Sequence, residues 1–169
     1  MDTPTRSALA GWRIREVVTA LPDTPLSRCA QLMHDEHVGS LVIVEQRDGR
    51  RVPTGMVTDR DIAIEAVAFV IDPRALNAAD IMSCPPALAR EEDDLMSVLA
   101  RMREHGVRRL PVVGREGELR GIVAADDLLG MLAQQIDGLA SLVEASHRRE
   151  ARSRAAQALG ATEPRPPAG

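Results

Sequence analysis

The chain has 169 residues, 44% hydrophobic and 27% charged, the composition of an ordinary globular protein of one domain or two small repeats. All 21 basic residues are arginine and tyrosine is absent, which excludes lysine Schiff-base chemistry and the lysine-bearing phosphate loop. With Trp12 and Phe69 the only aromatics and a formal charge of -4, neither a base-stacking platform nor a global pull toward nucleic acid or anionic membrane is expected.

Residues 1–13 read as a lead segment without the apolar core of a signal peptide. No run approaches the ~18 apolar residues of a membrane span, so a cytoplasmic protein is expected. Val17 to Ala20 read as a weak strand ended by the turn residues Pro22-Asp23-Thr24-Pro25. Thr24 is the expected N-cap of a helix whose buried stripe is Leu26, Cys29, Ala30 and Met33. Cys29 and Cys84 stand outside any metal-ligand spacing and read as small buried hydrophobes. The run SLVIV at residues 40–44 is a buried strand, Arg47-Asp48-Gly49-Arg50 a hairpin, and Gly55-Met56-Val57 the returning strand. Thr58 and Asp61 have capping-box spacing, and the run from Ile62 to Ile71 continues as helix until Asp72-Pro73.

The pattern then recurs. Ala87 to Ala89 repeat the weak strand, Asp93 is the expected cap, and Leu95, Val98, Leu99 and Met102 repeat the helical stripe at an offset of 69 residues. The strand RLPVV follows at the same offset. Gly121-Ile122-Val123 and Asp127 follow at an offset of 66, as though the second hairpin, Gly114 to Gly117, had lost three residues. Each copy reads strand, helix, strand, hairpin, strand, helix; this is an α/β (α+β) fold of two repeats packed sheet to sheet.

From Asp126 to about Leu159 no proline interrupts a helical pattern, in which Leu129, Leu132, Ile136, Leu139 and Val143 form a short heptad seam. Arg148, Arg149, Arg152 and Arg154 make its end basic, and residues 160–169 read as a disordered tail. His34, His37, His105 and His147 read as surface histidines. No nucleophile elbow or metal-ligand cluster is legible, so no enzyme activity is expected.

The ordered set VVTALPDTPLSRCAQLM, HVGSLVIV, GMVTDRDI, IMSCPPAL, GVRRLPVV and GIVAADDLL resembles a tandem pair of CBS (cystathionine β-synthase-type) domains, a Bateman module. The resemblance implies repeat 1 over residues 14–71, a linker over 72–80, repeat 2 over 81–131 and an added C-terminal helix over 132–159. It also implies a cleft between repeats for a regulatory adenosine ligand, AMP, ADP, ATP or S-adenosylmethionine, with no obligatory cofactor or metal. Carried onto this chain, the family's motif places Thr58 at phosphate and Asp61 at ribose hydroxyls, with Gly55 before them. Arg60, Val18, Met82, Ala87, Arg108, Arg109, Pro111 and Asp127 complete the expected contacts. The second copy has Ala124 where the first has Thr58, so two unequal sites are expected. The implied partners are a second copy of the chain, through its helices, and a protein regulated in trans. A constitutive scaffold that uses the C-terminal helix is the competing expectation.

Overall fold

The computed structural model describes residues 16–160. The lead segment 1–13, with Trp12, and residues 161–169 of the expected tail lie outside the described residues. The chain divides into a first unit ending at Leu128 and a second beginning at Leu129.

In the first unit, β1 (Thr19–Ala20), α1 (Leu26–Asp35), β2 (Ser40–Arg47), β3 (Arg50–Thr58) and α2 (Asp59–Ile62) follow in order. Helix α2 passes into a π-helical stretch, Ala63–Ala68, and then a short helix, α3 (Ala78–Ile81). The order repeats as β4 (Ala89–Arg90), α4 (Leu95–His105), β5 (Arg109–Val113), β6 (Leu119–Ala124) and the start of α5 (Ala125–Gly160). Two three-stranded mixed sheets result, β1-β2-β3 and β4-β5-β6, each with one parallel and one antiparallel pair. β3 and β6 are in contact, bringing the two sheets together.

The strand register confirms both offsets. Ala20 pairs Ile43 and Ile43 pairs Gly55, as Ala89 pairs Val112 and Val112 pairs Gly121. Even the register shifts are equivalent, between Ile43 and Val44 and between Val112 and Val113. The three missing residues fall in the hairpin: Asp48 and Gly49 both have positive φ, the mirror-image turn that matches strand twist, whereas Gly114 to Gly117 make a different turn.

Packing explains the sequence stripes with one exception. Cys29 and Met33 are buried in one cluster with Leu41, Ile43 and Val57 of the first sheet, Leu26 is fully buried on the same helix, and Val98 and Met102 are buried on α4. Ala30 is exposed, so the buried stripe of α1 is narrower than expected; its equivalent, Leu99, is half-buried. The N-caps are also displaced by one residue: Pro25 precedes α1 without a side-chain cap, and Asp94 caps α4 by accepting from Ser97 N (2.8 Å). Thr24 and Asp93 instead close the preceding turns, Thr24 Oγ1 accepting from Leu21 N (3.0 Å) and Asp93 Oδ2 from Arg90 N (2.7 Å). Each is one residue too early to reach the first free N–H groups of its helix.

Cys29 is buried, and burial pushes its thiol above the usual range, whereas Cys84 is exposed and does not join the core. A maleimide should therefore modify one thiol per native chain at Cys84, with Cys29 reacting only in denaturant. Rapid labelling of two thiols in the folded protein would contradict this packing.

Helix α5 is the long C-terminal helix expected, starting one residue earlier at Ala125 and reaching Gly160. In the second unit Leu129, Ile136, Leu139 and Val143 are each more than half exposed and Leu132 is 36% exposed. The basic stretch is partly paired within the helix, Arg148 with Glu144 (2.8 Å) and Arg154 with Glu150 (3.6 Å). Each has its acid four residues upstream, the favourable helical order.

Candidate functional site

The site begins at the junction of β3 and α2. Thr58 leaves the strand in an extended conformation and caps the helix: Asp61 N donates to Thr58 Oγ1 (3.2 Å), and Thr58 N donates to Asp61 Oδ2 (2.8 Å). The Thr58 hydroxyl also donates to Asp61 Oδ2 (2.7 Å). The box thus holds both side chains at the helix entrance through one carboxylate oxygen, and a carboxylate has a second with which to accept.

Each junction is pinned to the neighbouring strand in the same way. Asp59 N donates to Gly39 O (3.2 Å), just before β2, and Ala125 N to Arg108 O (2.8 Å), just before β5. The turns leading into those strands also match. Val38 N donates to Met33 O (3.0 Å) and Val107 N to Met102 O (2.9 Å), with His37 and Gly106 both in the left-handed region.

Two clefts follow from this duplication. The first, of about 240 Å³, is lined by Ser40, Met56, Thr58, Asp59 and Arg60 of repeat 1 and by Ser83, Gly106, Val107, Arg108 and Arg109 of repeat 2. The second, of about 160 Å³, is its counterpart. Ile122, Ala124 and Asp126 stand where Met56, Thr58 and Arg60 do, opposite His37, Val38, Gly39 and Ser40, with Glu16, Val17, Val18, Arg109 and Asp127 completing the lining. Among the described residues, arginines dominate the charge of the first cleft and carboxylates that of the second. An anion is therefore better met in the first.

Of the residues expected from sequence, Thr58, Arg60, Arg108 and Arg109 meet in the first cleft, and Val18, Arg109 and Asp127 in the second. Asp61 lies one helical step behind Thr58, bonded to it. Asp61 itself lines neither cleft, and neither do three further expected residues. Pro111 is fully buried in β5 opposite Ile122. Met82 packs against the first core instead, its side chain filling the space a Cβ on Gly55 would need. Ala87, half-buried ahead of β4, lines neither cleft.

The connection carrying Met82 is anchored at the next residue. Ser83 makes a bridge with Met56, its N donating to Met56 O (2.9 Å) and its Oγ to the same oxygen (3.2 Å). This explains how Ser83 comes to line the first cleft, a role no local motif signals. Ser40, Met56 and the helix-to-strand turns were also missed. Their signal was the repeat itself, since each cleft takes the same positions from both copies.

No group of three or more metal-ligating side chains occurs among the described residues, and none of the helices searched is long and apolar enough to cross a membrane. A duplicated β-α-β-β-α unit whose two copies jointly line two clefts defines a tandem-repeat α/β module. Comparison specifies it: the CBS domain model matches residues 12–67 and 78–134, and the chain belongs to that family. It is 34% identical over 113 residues to the CBS domain-containing protein YhcV of Bacillus subtilis, covering 67% of this chain and 76% of that protein. It is 36% identical over 115 residues to a Methanopyrus kandleri protein, covering 68% of this chain but only 57% of its relative.

An inosine-5'-monophosphate dehydrogenase of Methanocaldococcus jannaschii matches at 27% identity, over only 22% of that enzyme. Among solved structures, the CBS domain protein PAE2072 of Pyrobaculum aerophilum, complexed with AMP, superimposes with a TM-score of 0.62 at 26% identity, covering 71% of this chain and 93% of that one. A hexameric CBS-CP12 protein from bloom-forming cyanobacteria superimposes with a TM-score of 0.60 at 26% identity, over 68% and 64% of the two chains.

Proposed function

We propose that this chain is a regulatory module that binds an adenosine nucleotide between its repeats, without turning it over, and passes the bound state to a partner protein in trans. The observation that carries the reading is the convergence of Thr58 with Arg60, Arg108 and Arg109 in one cleft contributed by both repeats. An arginine fork matches phosphate oxygens, and the Thr58 hydroxyl, which donates to Asp61 Oδ2 here, reaches a phosphate by turning its proton from that carboxylate. The AMP complex of PAE2072 supports the ligand class. A ligand touching both repeats favours one relative arrangement of them, by as much as its affinities for the two arrangements differ.

The module acts as a homodimer. Exposed apolar side chains on two helices support this: Ile64, Val67, Phe69 and Val70 along and after the π-helical stretch, and the seam of α5. The same seam favours a second reading, a constitutive scaffold whose clefts are vestigial, with Ala124 in place of a hydroxyl as its other support.

Calorimetric titration with AMP, ADP, ATP, S-adenosylmethionine and NAD separates the two readings. Micromolar binding of a nucleotide is expected, lost in Asp61→Ala, whose thermal melt is compared with wild type because the change also removes half of the capping box. Asp127→Ala reports the second cleft in the same way. Silence from a folded, nucleotide-free protein would favour the scaffold.

A further inference from the structure

Arg109 and Ser40 each line both clefts. The register shows that they occupy the same position of the repeat: Ser40 pairs Thr58 as Arg109 pairs Ala124. Repeat 1 thus supplies a neutral hydroxyl at the place shared by the clefts, and repeat 2 a guanidinium. A guanidinium carries one charge and has one orientation at a time, so turning its fork to a phosphate in one cleft leaves less of both for a phosphate in the other.

The other described charges make the contest unequal. Arg60 and Arg108 stand beside Arg109 in the first cleft against one carboxylate, Asp59, whereas three carboxylates, Glu16, Asp126 and Asp127, accompany it in the second.

The geometry points to Arg109 as a coupling residue, through which a phosphate-bearing ligand in the first cleft weakens the binding of a second such ligand in the other. The inference rests on the adenosine-nucleotide reading above. Engagement of Arg109 by the first phosphate withdraws a positive charge from the second cleft, and reciprocity requires a phosphate in the second cleft to weaken the first equally. An uncharged ligand such as adenosine makes no claim on Arg109 and escapes the penalty. The functional consequence is a module that holds one nucleotide per chain while keeping its second cleft open to a ligand without phosphate.

Site-resolved titration tests this. Met56 lines only the first cleft and Ile122 only the second, so their methyl NMR signals report the two occupancies separately in the full chain. AMP is titrated into wild type and into Arg60→Gln/Arg108→Gln, two changes at exposed positions that weaken the first cleft. Removing two cations would by electrostatics alone weaken every anion site. Coupling through Arg109 predicts the reverse at Ile122, half-saturation at an AMP concentration lower by about fivefold or more, the low end of ordinary inter-site coupling. Adding Arg109→Ser should erase that gain.

An Ile122 response that is absent, unchanged or weaker in the Arg60/Arg108 variant, with Met56 still responding in wild type, overturns the coupling and leaves the nucleotide reading intact. If neither methyl responds to AMP in any of the proteins, the nucleotide reading fails and the coupling with it.

Discussion

Gly55→Ala should destabilise the protein by about 1–3 kcal/mol, the ordinary cost of forcing a methyl into a filled site, and Gly55→Val by more. A Cβ at this position would stand 2.3 Å from the Met82 sulfur, 2.8 Å from its Cγ and 3.0 Å from its Cβ. The sulfur could swing aside, but the Met82 Cβ moves only with its backbone. That backbone is held by the hydrogen bonds of Ser83 to Met56, immediately beside Gly55 on β3.

The expected consequence extends beyond stability. Displacing Met82 pulls on Ser83, which lines the first cleft, so AMP binding should weaken along with the fold. Urea denaturation gives the stability change, and a double-mutant cycle with Met82→Ala isolates the contact. The two changes together should cost less than the sum of their separate costs, by about 0.5–3 kcal/mol. Simple additivity would show that Gly55 is required for another reason.

Leu132→Glu combined with Ile136→Glu should convert the proposed homodimer to monomer, read by light scattering, with little change in the melt of the first unit. Both side chains are exposed, 36% and 64%, so the substitutions create no buried charge within one chain. In a dimer paired along the seam they place four carboxylates among apolar side chains, each costing several kcal/mol to desolvate. The apparent dissociation constant should rise by about a thousandfold or more, since each 1.4 kcal/mol is a factor of ten. A dimer that survives both changes would place the interface elsewhere, and the apolar group of Ile64, Val67, Phe69 and Val70 would be the next to alter.

How far the architecture was legible depended on how local its causes are. The hairpin at Asp48-Gly49, the box between Thr58 and Asp61 and the buried positions Leu26, Cys29 and Met33 all arise within a few residues, and each was readable. The displaced caps show the resolution of such reading. Thr24 and Asp93 were recognised as polar residues ahead of a helix, but whether a hydroxyl or carboxylate reaches the helix or the turn before it depends on one residue of register. Ala30 and Cys84 were assigned to the interior on composition and spacing, and neighbouring elements leave both uncovered.

The duplication itself, its change of offset at the hairpin, the order of elements and the long final helix were determined by the sequence alone, because periodicity and turn chemistry act over short spans. Which residues share a cleft was decided only by the tertiary structure. Thr58 and Arg108 meet because the two repeats pack through β3 and β6, and the end of β3 and the turn into β5 line one cleft. Met82 left the expected site for Gly55 because the connection between repeats is anchored on the first sheet through Ser83. A resemblance could name Arg109 as a phosphate contact, but its place on both clefts arises from where the two copies face each other, and a linear pattern carries no record of that juxtaposition.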